Sequence, residues 1–194
     1  KVLTGLAFSP NGALYAGSCL GYPNYPAKNG FVIKIDVENS DLASLRKETA
    51  AILAKGFKDL SEAQLEKYLN HEDLRVRRDC QFELVKRGNI GQEILIKAAL
   101  KAPGQLARLH GIWGIGQIGR KNSNAVIPLI PLLQDKDPQV RAQAAVVIGD
   151  AKYREGAPYI TTLLKDKSPR VQSMAAIALG KLNDDRAVKP LLAL

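Results

Sequence analysis

Over the first 37 positions apolar and polar residues come in short runs, the pattern of strands rather than helices. Val2 to Phe8 leads into Ser9-Pro10-Asn11-Gly12, where Pro fixes φ and Asn-Gly tolerates a positive φ, so the chain turns. Ala13 to Ser18 predicts a second strand. The loop Gly21 to Gly30 follows, then a third strand over Phe31 to Asp36. Three short strands bury too little to stand alone and need another sheet or a helix to lean on. From about residue 41 the period becomes helical. Leu42, Leu45, Ile52 and Leu53 share one face, interrupted by Thr49, and Gly56 is a natural stop. Ser61 and Gln64 then form a capping box at the start of the next helix.

The remainder is repetitive. Leu133-Gln134-Asp135-Lys136-Asp137-Pro138-Gln139-Val140-Arg141 returns 31 residues later as Leu164-Lys165-Asp166-Lys167-Ser168-Pro169-Arg170-Val171-Gln172. Asp137 and Ser168 suit N-cap positions, and Pro138 and Pro169 suit the first helical position, where a missing N–H costs nothing. An apolar stripe with small residues follows each: Val140, Ala144, Ala145, Ile148 and Gly149, matched by Val171, Ala175, Ala176, Leu179 and Gly180. The same frame fits Val76, Cys80, Gln81 and Leu84, and more loosely Ala107, Gly111, Ile112, Ile115 and Gly116. A further unit opens at Ala187-Val188-Lys189-Pro190, repeating Ala125-Val126-Ile127-Pro128. Each unit reads as a helix pair that cannot bury its apolar face alone, so neighbours must stack into a solenoid.

The Asp-x-x-Pro-x-Val-Arg-x-x-Ala-Ala-x-x-(Ile/Leu)-Gly frame at 135–149 and 166–180, with Gln172 in place of Arg, resembles short HEAT repeats of the phycobilisome-lyase type. The resemblance covers about 61–194 and speaks to fold rather than function. Leu6 to Tyr15, followed by Arg75 to Leu84 and Ala107 to Gly114, is also similar to the propeller-to-HEAT junction of membrane-bound dehydrogenases from planctomycete-type bacteria. That resemblance implies a sugar-dehydrogenase-like propeller before the repeats, a c-type cytochrome domain after them, and an exported or periplasmic location. The chain departs from the full pattern. It has at most one blade, no Cys-x-x-Cys-His, and Ser18-Cys19-Leu20 where an Asp-Trp pair is usual, so no catalytic residue carries over. The expected architecture is mainly α. A β meander resembling a propeller blade (1–37) and a linker helix (38–60) precede a right-handed HEAT-like α-solenoid (61–194) of about four repeats and a truncated fifth. Beginning at Lys1 rather than Met, the chain looks like a piece of something longer.

Composition narrows the class without naming a chemistry. With 194 residues, 46% hydrophobic and 24% charged, the chain is not disordered, collagenous or disulfide-stapled. Its longest wholly apolar run, Ala125 to Leu133, contains two prolines and is far short of a membrane span, which needs about 18 residues. Cys19 and Cys80, in segments of different kind, do not suggest a disulfide framework. The net charge of +9 lies outside residues 1–45, and 86–121 carries seven basic side chains against Glu93. Such a patch can steer acidic partners.

Each constellation with possible chemistry has a plain structural counterpart. Gly114-Ile115-Gly116-Gln117-Ile118-Gly119 matches a dinucleotide fingerprint, but the repeat frame puts it inside a helix, where close packing explains the glycines. His71-Glu72 is similar to the pairs that hold iron in HEAT-repeat deoxyhypusine hydroxylases. With only His71 and His110 in the chain, several converging ligands are lacking, so no metal or cofactor is expected. Arg77, Arg108 and Arg141 share one repeat position with Asp135 and Asp166 at the preceding turns, and read as a structural ladder rather than a ligand row. Basic residues where second helices end, Lys86, Arg87, Arg120, Lys121, Lys152, Arg154 and Lys181, suit helix dipoles or a nucleic-acid ridge. Opposite the core stripe, a polar face carries one apolar row, Phe82, Trp113, Val146 and Ile177. In a HEAT solenoid this would line the concave side as a ribbon for a protein partner or neighbouring domain, with Trp113 and His110 as leading contacts. The expected function is a non-catalytic interaction scaffold within a larger dehydrogenase-like protein, with a nucleic-acid-binding HEAT protein as the alternative.

Overall fold

The structure, a computed structural model, describes residues 2–19, 30–37 and 41–192. The chain divides into two compact units, Lys1–Phe57 and Lys58–Leu194. The loop expected over 21–29 and the side chain of Cys19 lie outside the described residues.

In the first unit, strands β1 (Val2–Phe8), β2 (Leu14–Cys19) and β3 (Gly30–Ile35) form an antiparallel sheet in that order. The turn after β1 closes as its residues dictate. Ser9 N–H donates to Ala13 O at 2.9 Å and Gly12 N–H to Ser9 O at 2.9 Å, with Gly12 at φ +82°. The register sets Leu6, Ala16 and Ile33 side by side, and likewise Phe8, Leu14 and Ile35. Side chains paired across strands share a face, so these six lie on one side of the sheet. Leu6, Phe8, Ile33 and Ile35 on that face remain 65%, 69%, 42% and 51% exposed. Helix α1 (Ala43–Lys55) buries Thr49 and Ile52 and ends at Gly56. Leu42, expected on its apolar face, is exposed because it precedes the first turn as the N-cap. Arg46 ties α1 to the sheet: its Nε donates to Asn11 O at 2.7 Å and its Nη2 to Asp36.

The second unit is a stack of helix pairs. The pairs are α2 (Glu62–Tyr68) with α3 (Leu74–Lys86), and α4 (Asn89–Lys101) with α5 (Gln105–Gly119). Next come a 3-10 helix at Ser123–Gln134 with α6 (Pro138–Asp150), and α7 (Ala157–Thr162) with α8 (Pro169–Leu182). A short α9 (Val188–Leu192) follows. The architecture is mainly α, a HEAT-like helical repeat unit with a small antiparallel sheet at the N-terminal side. Among the described residues no helix is long and apolar enough to cross a membrane.

Local sequence explains most boundaries. The Ser61/Gln64 box closes reciprocally, Gln64 N–H donating to Ser61 Oγ at 3.3 Å and Ser61 N–H to Gln64 Oε1 at 2.9 Å. Asp137 caps α6 by accepting from Gln139 N–H at 2.8 Å. Ser168 holds the corresponding N-cap position of α8, but its side chain makes no capping bond. Two prolines, Pro128 and Pro131, stand inside the segment expected to be the first α-helix of the third pair. Each proline lacks an N–H and sets its ring against the carbonyl four residues back, and the segment is wound as a 3-10 helix.

The second helix of each pair packs against the second helix of the next, all pointing the same way. Gln105, near the start of α5, meets Asp137 at the start of α6, and a Cβ on Gly119 would touch Ala151 beyond the end of α6. Arg170 meets Gln139, and Lys181 meets Asp150, at the two ends of the α6/α8 pair. The inward stripe is closed to solvent: Val76, Cys80, Leu84, Ile112, Ile115, Val140, Ala144, Ile148, Val171 and Ala175 are all fully buried. Each large aliphatic side chain so placed contributes about 1.5–3 kcal/mol. The Gly-x-Gly-x-x-Gly run lies within α5, with no strand before it. A Cβ on Gly114 would come within 2.6 Å of Leu95, and one on Gly116 within 2.9 Å of Val147. These glycines serve helix packing.

Gly111 makes the closest α4/α5 approach: a Cβ there would lie 2.5 Å from Ala99 N and 2.6 Å from Leu95 O. Gly180, expected in the inward stripe of α8, is exposed instead, because among the described residues no further helix covers it, and has nothing within 4 Å of a Cβ. Gly111→Ala is expected to cost about 3 kcal/mol or more, because backbone must move. Gly180→Ala should stabilise by about 0.5–1 kcal/mol through helix propensity. Urea unfolding of the two variants measures both.

Candidate interaction face

Two sets of side chains run across the parallel helices α3, α5, α6 and α8. One lies at their N-terminal turns and one along the face opposite the core. The first set contains the arginines at the shared repeat position. Arg108 reaches Asp135 with two bonds, Nη1 to Oδ1 at 3.1 Å and Nη2 to Oδ2 at 2.5 Å, while its Nε donates to Ala99 O at 3.0 Å. Arg141 repeats the move one pair later, Nε to Asp166 Oδ2 and Nη2 to Asp166 Oδ1, each at 2.7 Å. Its Nη1 also donates to Asp135 O at 2.7 Å. Each Asp turns a second bond on its own loop: Asp135 accepts from Asp137 N–H at 2.9 Å, and Asp166 from Ser168 N–H at 2.8 Å. The beginning of each helix is thereby clamped to the preceding pair. The guanidinium beside Asp135 and the one beside Asp166 hold both carboxyls below the ordinary carboxylate range.

The first joint lacks this clamp. Where Asp135 and Asp166 stand in later pairs, the second pair has Ala102. Arg77 has no carboxylate to reach, and its Nη1 donates to the turn carbonyls of His71 at 2.6 Å and Glu72 at 2.7 Å. It is 5% exposed, and its Nε has no partner among the described residues. His71 occupies the same place in its own turn, its Nδ1 accepting from Asp73 N–H at 3.0 Å. No group of three His, Cys, Asp or Glu suited to a metal ion occurs among the described residues.

The second set is the outward face. Phe82 and Ile177 are 41% and 47% exposed, and Trp113 and Val146 are half-buried between them. Trp113 Nε1 donates to Gln143 Oε1 at 2.8 Å, which holds the indole in place against α6. A cavity of about 260 Å³ opens beside it, lined by Trp113, Gln117, Arg120, Gln143, Val146 and Asp150 among others. His110, expected to be a leading contact of this row, is not on the surface. It is 3% exposed, its Nδ1–H donates to Gln81 Oε1 at 2.7 Å, and its ring meets Trp113 edge-on at 5.1 Å. Its position on the helix faces α3, and the buried amide of Gln81 draws it inward. Burial first, and then the charge of Arg77, pull its pKa down to about 4. His110 supports Trp113 from beneath. Cys80 Sγ donates to Leu65 O at 3.0 Å, and burial pushes its thiol up to about 12, so it is no nucleophile at neutral pH.

Gln81 and Gln143 carry cross-repeat bonds that periodicity does not assign. A signal existed for Gln81, which stands where the other repeats carry Ile112, Ala145 and Ala176; an amide in an apolar frame needs a polar partner. Gln143 has the look of an ordinary surface residue.

Residues 126–194 match the family described as HEAT repeats, a little over a third of the chain. No curated protein matches. Among the solved structures that match is the crystal structure of an engineered protein, a structural-genomics target, 20% identical with a TM-score of 0.46. The match covers 67% of this chain and 66% of that one, so the chain spans just under two thirds of its length.

The backbone at Ala102 (φ −61°, ψ 140°) is that of Asp135 (−63°, 148°) and Asp166 (−63°, 150°). Ala102→Asp should therefore place a carboxylate on Arg77 and raise stability by about 1 kcal/mol, a gain of about 3 °C in Tm. Acid should act in two stages. A neutral His110 stabilises the fold above its unfolded value near 6.5, and that contribution is lost as pH falls towards about 4. The depressed carboxyls of Asp135 and Asp166 contribute above about 3.9, and their share is lost below it. Thermal melts from pH 7 to 3 should show the upper stage missing in His110→Gln and the lower one reduced in Asp166→Asn.

Proposed function

We propose that the helical unit is a non-catalytic protein-interaction scaffold, and that its partner lies across α3, α5, α6 and α8. The observation that carries this is the row Phe82, Trp113, Val146 and Ile177, left partly open on a face where several of the polar side chains are engaged between repeats. Arg170 is bonded to Gln139, Gln143 to Trp113, and Lys181 to Asp150. Trp113, within the row, is thus held by a bond formed before any partner arrives, and a pre-ordered aromatic costs little entropy on binding. HEAT repeats commonly mediate protein interaction, which favours the same reading. The alternative from charge, nucleic-acid binding, leaves the apolar row without a use.

The resemblance at the N-terminal side extends the proposal. We read the chain as a segment of a larger exported, dehydrogenase-like protein, in which any redox chemistry belongs to other domains. The sheet of the first unit supports this, because Leu6, Phe8, Ile33 and Ile35 form an exposed apolar face of the kind that a neighbouring propeller blade covers.

Two outcomes test these readings. Peptides selected from a displayed random library against the whole chain should lose at least tenfold in affinity with Phe82→Ala or Trp113→Ala, while circular dichroism stays unchanged. Selected peptides indifferent to both variants would remove this face from consideration. The gene on either side of the segment should encode further blades upstream and a Cys-x-x-Cys-His downstream; a lone repeat protein there would end the dehydrogenase-like reading.

A further inference from the structure

The interaction face has a second component, a basic edge. Because α3, α5 and α6 run in parallel, their C-terminal ends lie along one side of the face. Lys86 closes α3, Arg120 and Lys121 follow α5, and Lys152 follows α6. All four are exposed, and among the described residues none has an anionic partner or a side-chain hydrogen bond. The acidic groups nearer the face are already engaged: Asp73 by Arg75, Asp79 by Arg78, and Asp150 by Lys181. The uncompensated charge beside the apolar row is therefore positive through three successive helix pairs. Arg120 brings the two features together, since it lines the same cavity of about 260 Å³ as Trp113 and Val146.

Resting on the interaction-scaffold reading above, we propose that the partner is an acidic peptide segment. Its apolar side chains seat along Phe82, Trp113, Val146 and Ile177, and its Asp or Glu side chains pair with Arg120 and the neighbouring cations of the edge. An apolar group entering the cavity places a flanking carboxylate within reach of Arg120, whose planar fork can donate two parallel hydrogen bonds to it. Parallel helices pack about 8–10 Å apart, so the anchors must recur at about that interval. Residues i and i+7 of a helix satisfy it, at about 10 Å. A polyanion tracking the cations alone would leave the apolar row uncovered, so the arrangement favours an acidic peptide over nucleic acid.

The test uses the whole chain. A displayed random-peptide library is panned on it, selected peptides are synthesised, and affinity is read by anisotropy of the labelled peptide. Emission from Trp113, the chain's single tryptophan, reports whether the row is occupied. Selected peptides should be enriched in Asp and Glu over Lys and Arg relative to the starting library. Arg120→Glu with Lys152→Glu should weaken them at least tenfold, and peptides with Glu exchanged for Lys should regain affinity for that variant, a rescue that misfolding could not give. Peptides that need Phe82 and Trp113 but are neutral or basic, or ignore the charge reversal, would overturn the acidic partner and leave the interaction face standing. Peptides that ignore Phe82→Ala and Trp113→Ala, or no selected peptide at all, would overturn both. A duplex DNA or single-stranded RNA oligonucleotide that binds with loss on Arg120→Glu, none on Phe82→Ala, and no acidic peptide competing, would assign the edge to nucleic acid and overturn the proposal.

Discussion

Every other feature of the helical unit depends on how closely its parallel second helices approach one another. A single helix pair buries only part of its apolar surface, so its stability comes from the neighbours on either side. Those neighbours can come close only where side chains are small. Gly116 admits Val147, Gly119 lies beside Ala151, and Gly149 lies against Ala178. Once the helices are that near, polar side chains on adjacent repeats fall within bonding distance of one another. Cross-repeat bonds then join α5 to α6 through Gln105 and Asp137, and both ends of α8 to α6 through Arg170 with Gln139 and Lys181 with Asp150.

The arginine ladder shows how such contacts become directional. Arg108 and Arg141 each bind an Asp of the following turn, and that Asp also closes its own loop. A guanidinium with a bidentate carboxylate fixes both distance and angle, which a slippery apolar contact does not. At the first joint Ala102 breaks the pattern, and a buried Arg77 without a carboxylate sits near a neutral His110. The Gln81–His110 bond takes over the crossing there. That substitution has a consequence on the surface, because His110 is the ring on which Trp113 rests edge-to-face.

Consumption of polar groups between repeats is what gives the outer face its character. With Gln139, Gln143 and Asp150 bonded to adjacent helices, the partly open apolar row and the cations at the helix ends stand out on this face. The helix dipoles partly offset those cations but cannot pair with them. An apolar stripe bordered by unmatched charge describes a partner by its complement.

The repeat frame alone determined the helix pairs, the Asp137 cap and most of the inward stripe, because a 3.6-residue period with Asp-x-x-Pro punctuation has few other solutions. It also marked Arg108 and Arg141 with Asp135 and Asp166 as a set, since equivalent positions in a stack must face each other. The Phe82 row was legible for the same reason, being the single apolar line on the outer side. Only the tertiary structure decided which polar residues pair. His110 follows the same helical period as surface residues, yet it turns inward because Gln81 on another helix offers it an oxygen. Which apolar side chains of the three-stranded sheet share a face also lay beyond the sequence, because the register of the pairing decides it. Periodicity reports the environment of a position within its own element, and partners on other elements are set only when those elements meet.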